Sequence, residues 1–220
     1  MLIIRLCAYA VVVTLLFVAL VLIEVSTPDG LRLWQLSEMA ATLGTSEWSP
    51  VEWLQIAALM MIAGLAILAA QWQPGQVALS RLTLAMAVGA TIRELDLFLD
   101  FYFVDHLWQV LIAVLFAVTG VYLWRNKRSL VRAVQRAAIT PAPNLVFAGF
   151  VVIIFANLLG HAPFWQSILG DAYLRGAKLA AEEMTELLGY CFWLLGQLEY
   201  ALDCRSRYLV RQGRSVKKSP

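Results

Sequence analysis

Long stretches without a charged residue constrain this sequence more than any other feature. No charge occurs between Arg5 and Glu24, and none occurs from Leu107 to Trp124. A membrane-spanning helix needs about 20 mostly apolar residues, because lipid offers no hydrogen-bond partner to an open backbone. The chain of 220 residues is 61% hydrophobic and 15% charged, whereas soluble proteins are about 45–50% apolar and about 25% charged. This composition argues against a soluble domain and predicts a polytopic membrane protein.

Six apolar segments predict an all-α fold, a transmembrane helical bundle with about six spans. A single transmembrane domain is predicted over residues 1–204, followed by a basic cytoplasmic tail, residues 205–220, that is expected to be disordered. The predicted spans are residues 3–23, 51–71, 81–104, 107–124, 144–160 and 179–202.

Turn-forming residues agree with the predicted ends of these spans. Pro74-Gly75 predicts the turn between the second and third spans, and Pro141 with Pro143 marks the start of the fifth. The long loop at 24–50 has room for a short helix around residues 31–43. Gly189 and Gly196 in the sixth span are weak signals of a broken helix, a feature that transporters use.

The distribution of basic residues predicts the orientation. With the N-terminus in the cytoplasm, 13 of the 17 Lys and Arg residues fall on the inner side. Cytoplasmic loops are enriched in these residues, so both termini are expected inside, and this bias also accounts for the basic tail without a nucleic-acid partner. Residues 125–140 form a basic amphipathic stretch. It either lies on the inner membrane surface near anionic lipid headgroups or is an ordinary positive-inside loop.

Several charged residues fall inside the predicted spans. In the third span Arg93, Asp96 and Asp100 are spaced i, i+3, i+7, which places them on one face of a regular helix. In the sixth span Glu186 shares a face with both Glu182 and Glu183. A charge at the centre of a spanning helix costs about 2.5–3.5 kcal/mol on insertion scales. These side chains are therefore expected to face the interior of the bundle, each other or a wet cavity.

The sequence thus predicts a carboxylate cluster in the outer half of the bundle that binds a cation or protons. Arg93 is its expected counter-charge, and one arginine against at least five carboxylates leaves an excess of negative charge. The predicted cation or proton ligands are Glu94, Asp96, Asp100, Glu183, Glu186 and His106, and the peripheral members are Glu52, Glu182, His161 and Tyr190.

Three functions are compatible with such a cluster. The first is cation or proton binding in transport or sensing, for which Gln197, Glu199 and Asp203 are the few polar groups of the inner half. The second is a membrane-embedded hydrolase that uses a divalent cation on a lipid or lipid-linked substrate, although the chain has no HExxH or G-x-S-x-G motif. The third is a scaffold or assembly subunit in which the charges pair with each other.

Short motifs in three spans carry a resemblance. They are PVEWLQ at 50–55, Arg93-Glu94-Leu95-Asp96, and the set Glu182, Glu183, Glu186, Gly189 and Tyr190. Together they resemble uncharacterised small polytopic inner-membrane proteins of bacteria, which implies a multi-pass location in the cell inner membrane and supplies no activity. The seven-span hydrolase superfamily that includes alkaline ceramidases is a poor match, because its last span carries H-x-x-x-H and this span has no histidine.

Overall fold

The fold is entirely helical throughout the residues that the structure describes. A computed structural model describes residues 2–27, 31 and 49–216. Two short 3-10 turns, Pro74–Gln76 and Gly170–Ala172, accompany the α-helices of these ranges. The α-helices are α1 Leu2–Ser26, α2 Pro50–Trp72, α3 Val77–Glu94, α4 Asp96–Tyr102, α5 Leu107–Arg125, α6 Lys127–Ala137, α7 Ala142–Leu159, α8 Ala162–Leu169 and α9 Arg175–Val216.

Some predictions fall on residues outside this description. The short helix expected around residues 31–43 lies there apart from Leu31, and so do the last four residues of the basic tail.

Five of the described helices are long and apolar enough to cross a membrane. They are Ile3–Ser26, Pro50–Trp72, Pro74–Glu94, Leu107–Arg125 and Ala142–Leu159. An all-α chain with several such helices is typical of a polytopic membrane protein. The remaining predicted span, residues 179–202, lies inside α9. This helix is not among those apolar enough to cross a membrane by composition alone.

The third predicted span differs from the structure. Instead of one helix over 81–104, α3 ends at Glu94, Leu95 has φ −102° and ψ 17°, and α4 begins at Asp96. The predicted common face of Arg93, Asp96 and Asp100 assumed one regular helix, and that assumption is wrong. Asp96 lies in the first turn of α4, where the helix dipole favours a carboxylate.

The predicted disorder of the tail is also wrong for the part that is described. The last helix, α9, has 42 residues and continues to Val216, a length of about 63 Å at 1.5 Å per residue. Arg207 Nε lies 3.0 Å from Asp203 Oδ2 in an i, i+4 pair, and the Gln212 amide donates to the Tyr208 hydroxyl. Such pairs one turn apart stabilise a polar helix.

Helix ends follow local sequence signals. Ser49, Pro50 and Glu52 form a capping box at the start of α2. The Ser49 hydroxyl accepts from the backbone N–H of Val51 at 3.0 Å, and Glu52 Oε2 accepts from the N–H of Ser49 at 3.3 Å. Proline at the first helical position suits this arrangement because its missing N–H needs no partner. The predicted turn at Pro74-Gly75 is confirmed as the 3-10 turn before α3.

The chain divides into two compact units. The first comprises residues 1–55 and 149–191, and the second comprises residues 56–148 and 192–220. The core of the first is formed by Leu20, Leu31, Val51, Leu187 and Cys191. The core of the second is formed by Ala69, Ala137, Ala142, Tyr200 and Cys204.

Glycines in α9 permit close packing against α7 within each unit. A Cβ on Gly189 would lie 2.9 Å from the carbonyl oxygen of Gly149, in the first unit. A Cβ on Gly196 would lie 2.9 Å from the carbonyl oxygen of Ala142, in the second unit. Small residues let helix backbones approach in membranes. These two glycines therefore mark packing positions in a continuous helix, and the hypothesis of a broken helix is wrong here.

Candidate functional site

Buried hydrogen-bonding side chains follow one face of α9, and Glu199 is buried elsewhere on the same helix. None of residues 178–204 is exposed. Six buried residues in this stretch follow each other at intervals of 4, 3, 4, 3 and 4, the spacing of one helix face. Each carries a group able to form a hydrogen bond, and each is less than a tenth exposed: Glu186, Tyr190, Trp193, Gln197, Tyr200 and Cys204.

In the first unit, Gln55 contacts Glu183 through its side-chain amide. Gln55 Nε2 lies 3.1 Å from the Glu183 backbone oxygen and 3.0 Å from Glu183 Oε2. The backbone oxygen can only accept, so the amide nitrogen must face it. Gln55 Oε1 is then left buried, with no hydrogen-bond partner among the described residues. A buried acceptor of this kind calls for a donor such as a protonated carboxyl or a water.

Glu186 is the most buried of the predicted carboxylates. Glu186 is 4% exposed, and its Oε1 accepts a hydrogen bond from the Tyr190 hydroxyl at 3.2 Å. Tyr190 is one turn further along α9 and is itself 2% exposed. A buried carboxyl requires hydrogen bonds, a counter-charge or a proton. The tyrosine donor meets part of this requirement.

Glu182 has a different environment, although it is only one turn away. Lys178 Nζ lies 2.7 Å from Glu182 Oε2, and both side chains are partly exposed. The carboxylate also lies against Gly160, where a Cβ would collide with it. Glu182 therefore has a local counter-charge, and it provides a natural control for Glu186.

Two peripheral residues are explained by helix ends. The contact of Glu52 with the Ser49 N–H is part of the capping box of α2. His161 Nδ1 lies 2.9 Å from the Asn157 carbonyl oxygen, and Trp165 Nε1 donates to the Leu159 carbonyl oxygen at 2.6 Å. Carbonyls of the last helical turn lack partners within the helix, so these rings satisfy the end of α7.

The other predicted residues belong to the second unit. Arg93 Nη2 lies 2.7 Å from Glu94 Oε1, in the last turn of α3. Asp100 Oδ1 accepts from the backbone N–H of His106 at 2.9 Å, and His106 itself has a left-handed backbone with φ 67°. The predicted cluster joined these residues to Glu183 and Glu186, which belong to the first unit.

A buried polar group in the second unit was not predicted from the sequence. Gln73 and Gln76 flank the Pro74-Gly75 turn and are each 5% exposed. The Gln73 amide donates to the Cys204 carbonyl oxygen at 3.4 Å, and the Tyr200 hydroxyl donates to Gln76 Oε1 at 3.3 Å. Glutamines beside a turn are ordinarily solvated. The signal that would have found them is their spacing of three residues at the end of an apolar helix.

No ligand set for a metal ion occurs in the described ranges. Nowhere in them do three His, Cys, Asp or Glu side chains come together closely enough to hold one. The divalent-cation hypothesis and the metal-dependent hydrolase hypothesis therefore have no candidate centre in this part of the chain.

Comparison of the chain with protein-family models, curated proteins and solved structures finds no match.

Proposed function

We propose that this protein is an integral membrane protein that binds protons at Glu186 and Glu183, in transport or sensing. The observation that carries the proposal is the burial of Glu186, at 4% exposure, with a tyrosine hydroxyl on its carboxylate. Carboxyls within membrane domains are expensive to keep and commonly mark proton relays and ion pathways.

The chemistry of the neighbouring amide supports protons as the bound species. Gln55 uses its nitrogen on Glu183 and keeps Oε1 as a buried acceptor without a partner among the described residues. A protonated carboxyl gains an O–H donor that its ionised form lacks. Protonation of Glu183 would add a donor to a site that contains this buried acceptor, whereas a divalent ion would need several oxygen or nitrogen ligands together.

The decisive experiment is infrared difference spectroscopy of the reconstituted protein during a pH jump. We expect a carbonyl band of a protonated carboxyl that changes with pH in the parent and disappears in Glu186→Gln. Glu182→Gln is the matched control, because that carboxylate lies one turn away and is partly exposed. An unchanged band in Glu186→Gln, or an equal loss in both variants, would contradict proton binding at Glu186.

Six spans with both termini in the cytoplasm are the topology that we propose for this function, in the inner membrane of a bacterial cell. The bias of 13 of 17 basic residues supports it. The sixth span would be the part of α9 at 179–202. Its polar composition is compatible with spanning because residues 178–204 are buried or only partly exposed, and polar side chains that face the protein interior are tolerated inside a membrane.

Reporter fusions test the topology independently of proton binding. A fusion after Pro220 should report a cytoplasmic C-terminus, and a fusion in the segment before Arg175 should report the opposite side. The same side for both fusions would show that α9 does not span, and a periplasmic C-terminus would reverse the placement of every charge.

A further inference from the structure

The short helix α6, residues Lys127–Ala137, has three distinct faces. Successive residues turn by about 100°, which separates the centres of these faces by about 120°. Ala133 and Ala137 form a packed face, at 0% and 5% exposure, and Ala137 belongs to the core of the second unit. Val131 and Val134 form an apolar face that is about half exposed. Arg128, Arg132 and Arg136 form a basic face, spaced by one turn.

The sequence in and around this helix is strongly basic. Arg125, Lys127, Arg128, Arg132 and Arg136 are all exposed, and the sequence has no Asp or Glu between residues 105 and 171. Such a patch attracts anions, and the attraction depends on the distance to the anionic surface and on salt.

An exposed tryptophan marks the same end of the second unit as an interfacial region. Trp124, the penultimate residue of α5, is 75% exposed, and Lys127 Nζ lies 5.0 Å from the centre of its ring. Trp and Lys near the ends of spanning helices anchor the interface between acyl chains and headgroups. The valines of α6 add exposed apolar surface beside the basic face, as in helices that lie in a membrane interface.

From these observations we propose that α6 is an interfacial helix that binds anionic phospholipid headgroups. Its alanine face packs on the protein, its valine face enters the acyl boundary and its arginine face contacts phosphate. The second face decides between a lipid and a soluble anion as partner, because a soluble anion would leave the valines in water. This proposal concerns the second unit and does not depend on proton binding at Glu186.

Lipid selectivity of the full-length protein tests the charge part of this proposal. Spin-labelled phosphatidylglycerol and phosphatidylcholine would be compared in vesicles, for the parent, for Arg128→Gln/Arg132→Gln and for the control Arg205→Gln/Arg211→Gln. The control removes two exposed arginines from the end of α9. We expect the preference of the parent for phosphatidylglycerol to fall by up to about 25-fold in the α6 variant, since each of the two arginines removed contributes about a factor of five near an anionic surface.

The control should retain most of its preference. An equal loss in both double variants would show a general effect of net charge and overturn a specific role of α6, as would the absence of any preference in the parent.

The depth of α6 tests the apolar part without removing any charge. Cys7 is exposed and the other two cysteines, Cys191 and Cys204, are buried, so a Cys7→Ser background leaves no exposed native thiol. Spin labels would be placed by Val134→Cys and by Gln135→Cys. We expect the label at 134 to be relaxed mainly by oxygen, which partitions into lipid, and the label at 135 mainly by an aqueous nickel complex. Equal access of nickel to both labels would place α6 in water and contradict the proposal.

Discussion

Two helices of this protein, α5 and α9, show opposite relations between composition and exposure. No residue of α5 is buried, although its sequence is a nearly continuous apolar run. From 178 to 204 α9 has no exposed residue, although it carries Glu183, Glu186 and Gln197. In a soluble protein an apolar helix would be buried and a polar one exposed. This reversal is typical of a membrane protein, in which apolar helix surface faces lipid and polar side chains lie within the protein.

The largest effect is expected from a charged substitution on the exposed surface of α5. Val118 is 65% exposed in the middle of that helix. If its surroundings are lipid, Val118→Asp should cost about 2.5–3.5 kcal/mol of insertion free energy. The measurement is the fraction of full-length protein recovered folded from membranes, with Val118→Leu as the control. Full recovery of the aspartate variant would mean that α5 faces water.

A methyl group on α9 should have the next largest effect. In Gly189→Ala the Cβ would lie 2.5 Å from Ile153 Cγ1 and 2.9 Å from a backbone oxygen. Overpacking of this kind costs about 1–3 kcal/mol. The matched variant Gly120→Ala in α5 has no atom within 4 Å of the new Cβ and should gain up to about 1 kcal/mol from helix propensity. Thermal unfolding in detergent would compare the two, and equal midpoints would refute close packing at Gly189.

The hydrogen bond on Glu186 predicts a change of similar size. Tyr190→Phe removes the donor to a buried carboxylate and should lower the free energy of unfolding by about 1–3 kcal/mol. Tyr208→Phe is the control, because the Tyr208 hydroxyl accepts from Gln212 in an exposed contact. Chemical denaturation in mild detergent would measure both variants. A loss no larger for Tyr190 than for Tyr208 would show that this bond contributes nothing specific.

The smallest predicted effect concerns the C-terminal end of α9, in comparison with the buried part of the same helix. Arg207→Gln breaks the partly exposed pair with Asp203, and pairs of this type contribute about 0.3–0.5 kcal/mol. Amide hydrogen exchange should therefore become only slightly faster in residues 205–216, with no change around Tyr190. Arg211→Gln serves as the comparison. Complete loss of protection in 205–216 would mean that the helix there depends on this one pair.

Much of the helical architecture follows directly from apolar runs and turn residues. The predicted spans at 51–71 and 107–124 begin and end within one residue of α2 and α5, because length and hydrophobicity alone identify such helices. The break at Leu95 was not predictable in the same way. Glu94 and Asp96, on either side of Leu95, are both compatible with a helix. No neighbouring residue therefore predicts the change in the backbone dihedral angles of Leu95.

Only part of the candidate site could be predicted from the sequence, for a similar reason. Glu183 and Glu186 were identified because charges are unexpected inside a span, and Tyr190 was added because it lies one turn beyond Glu186 on the same helix face. Gln55 was named only within the PVEWLQ motif, and neither Gln73 nor Gln76 was predicted to be buried. Their importance comes from burial and from partners more than a hundred positions away, such as Glu183 for Gln55 and Cys204 for Gln73.

The amino-acid sequence alone establishes that this protein is helical and that several of its helices can cross a membrane. Both properties depend on the composition within one segment. The tertiary structure decided which helix is shielded and which polar atoms meet. It buried Glu186 and placed the Gln55 amide on Glu183, whereas the Glu186–Tyr190 and Glu182–Lys178 pairs lie one turn apart on one helix and follow from its spacing. The physical reason is that burial and hydrogen bonding are properties of pairs of segments, and their distances in space are not encoded in the spacing along either segment.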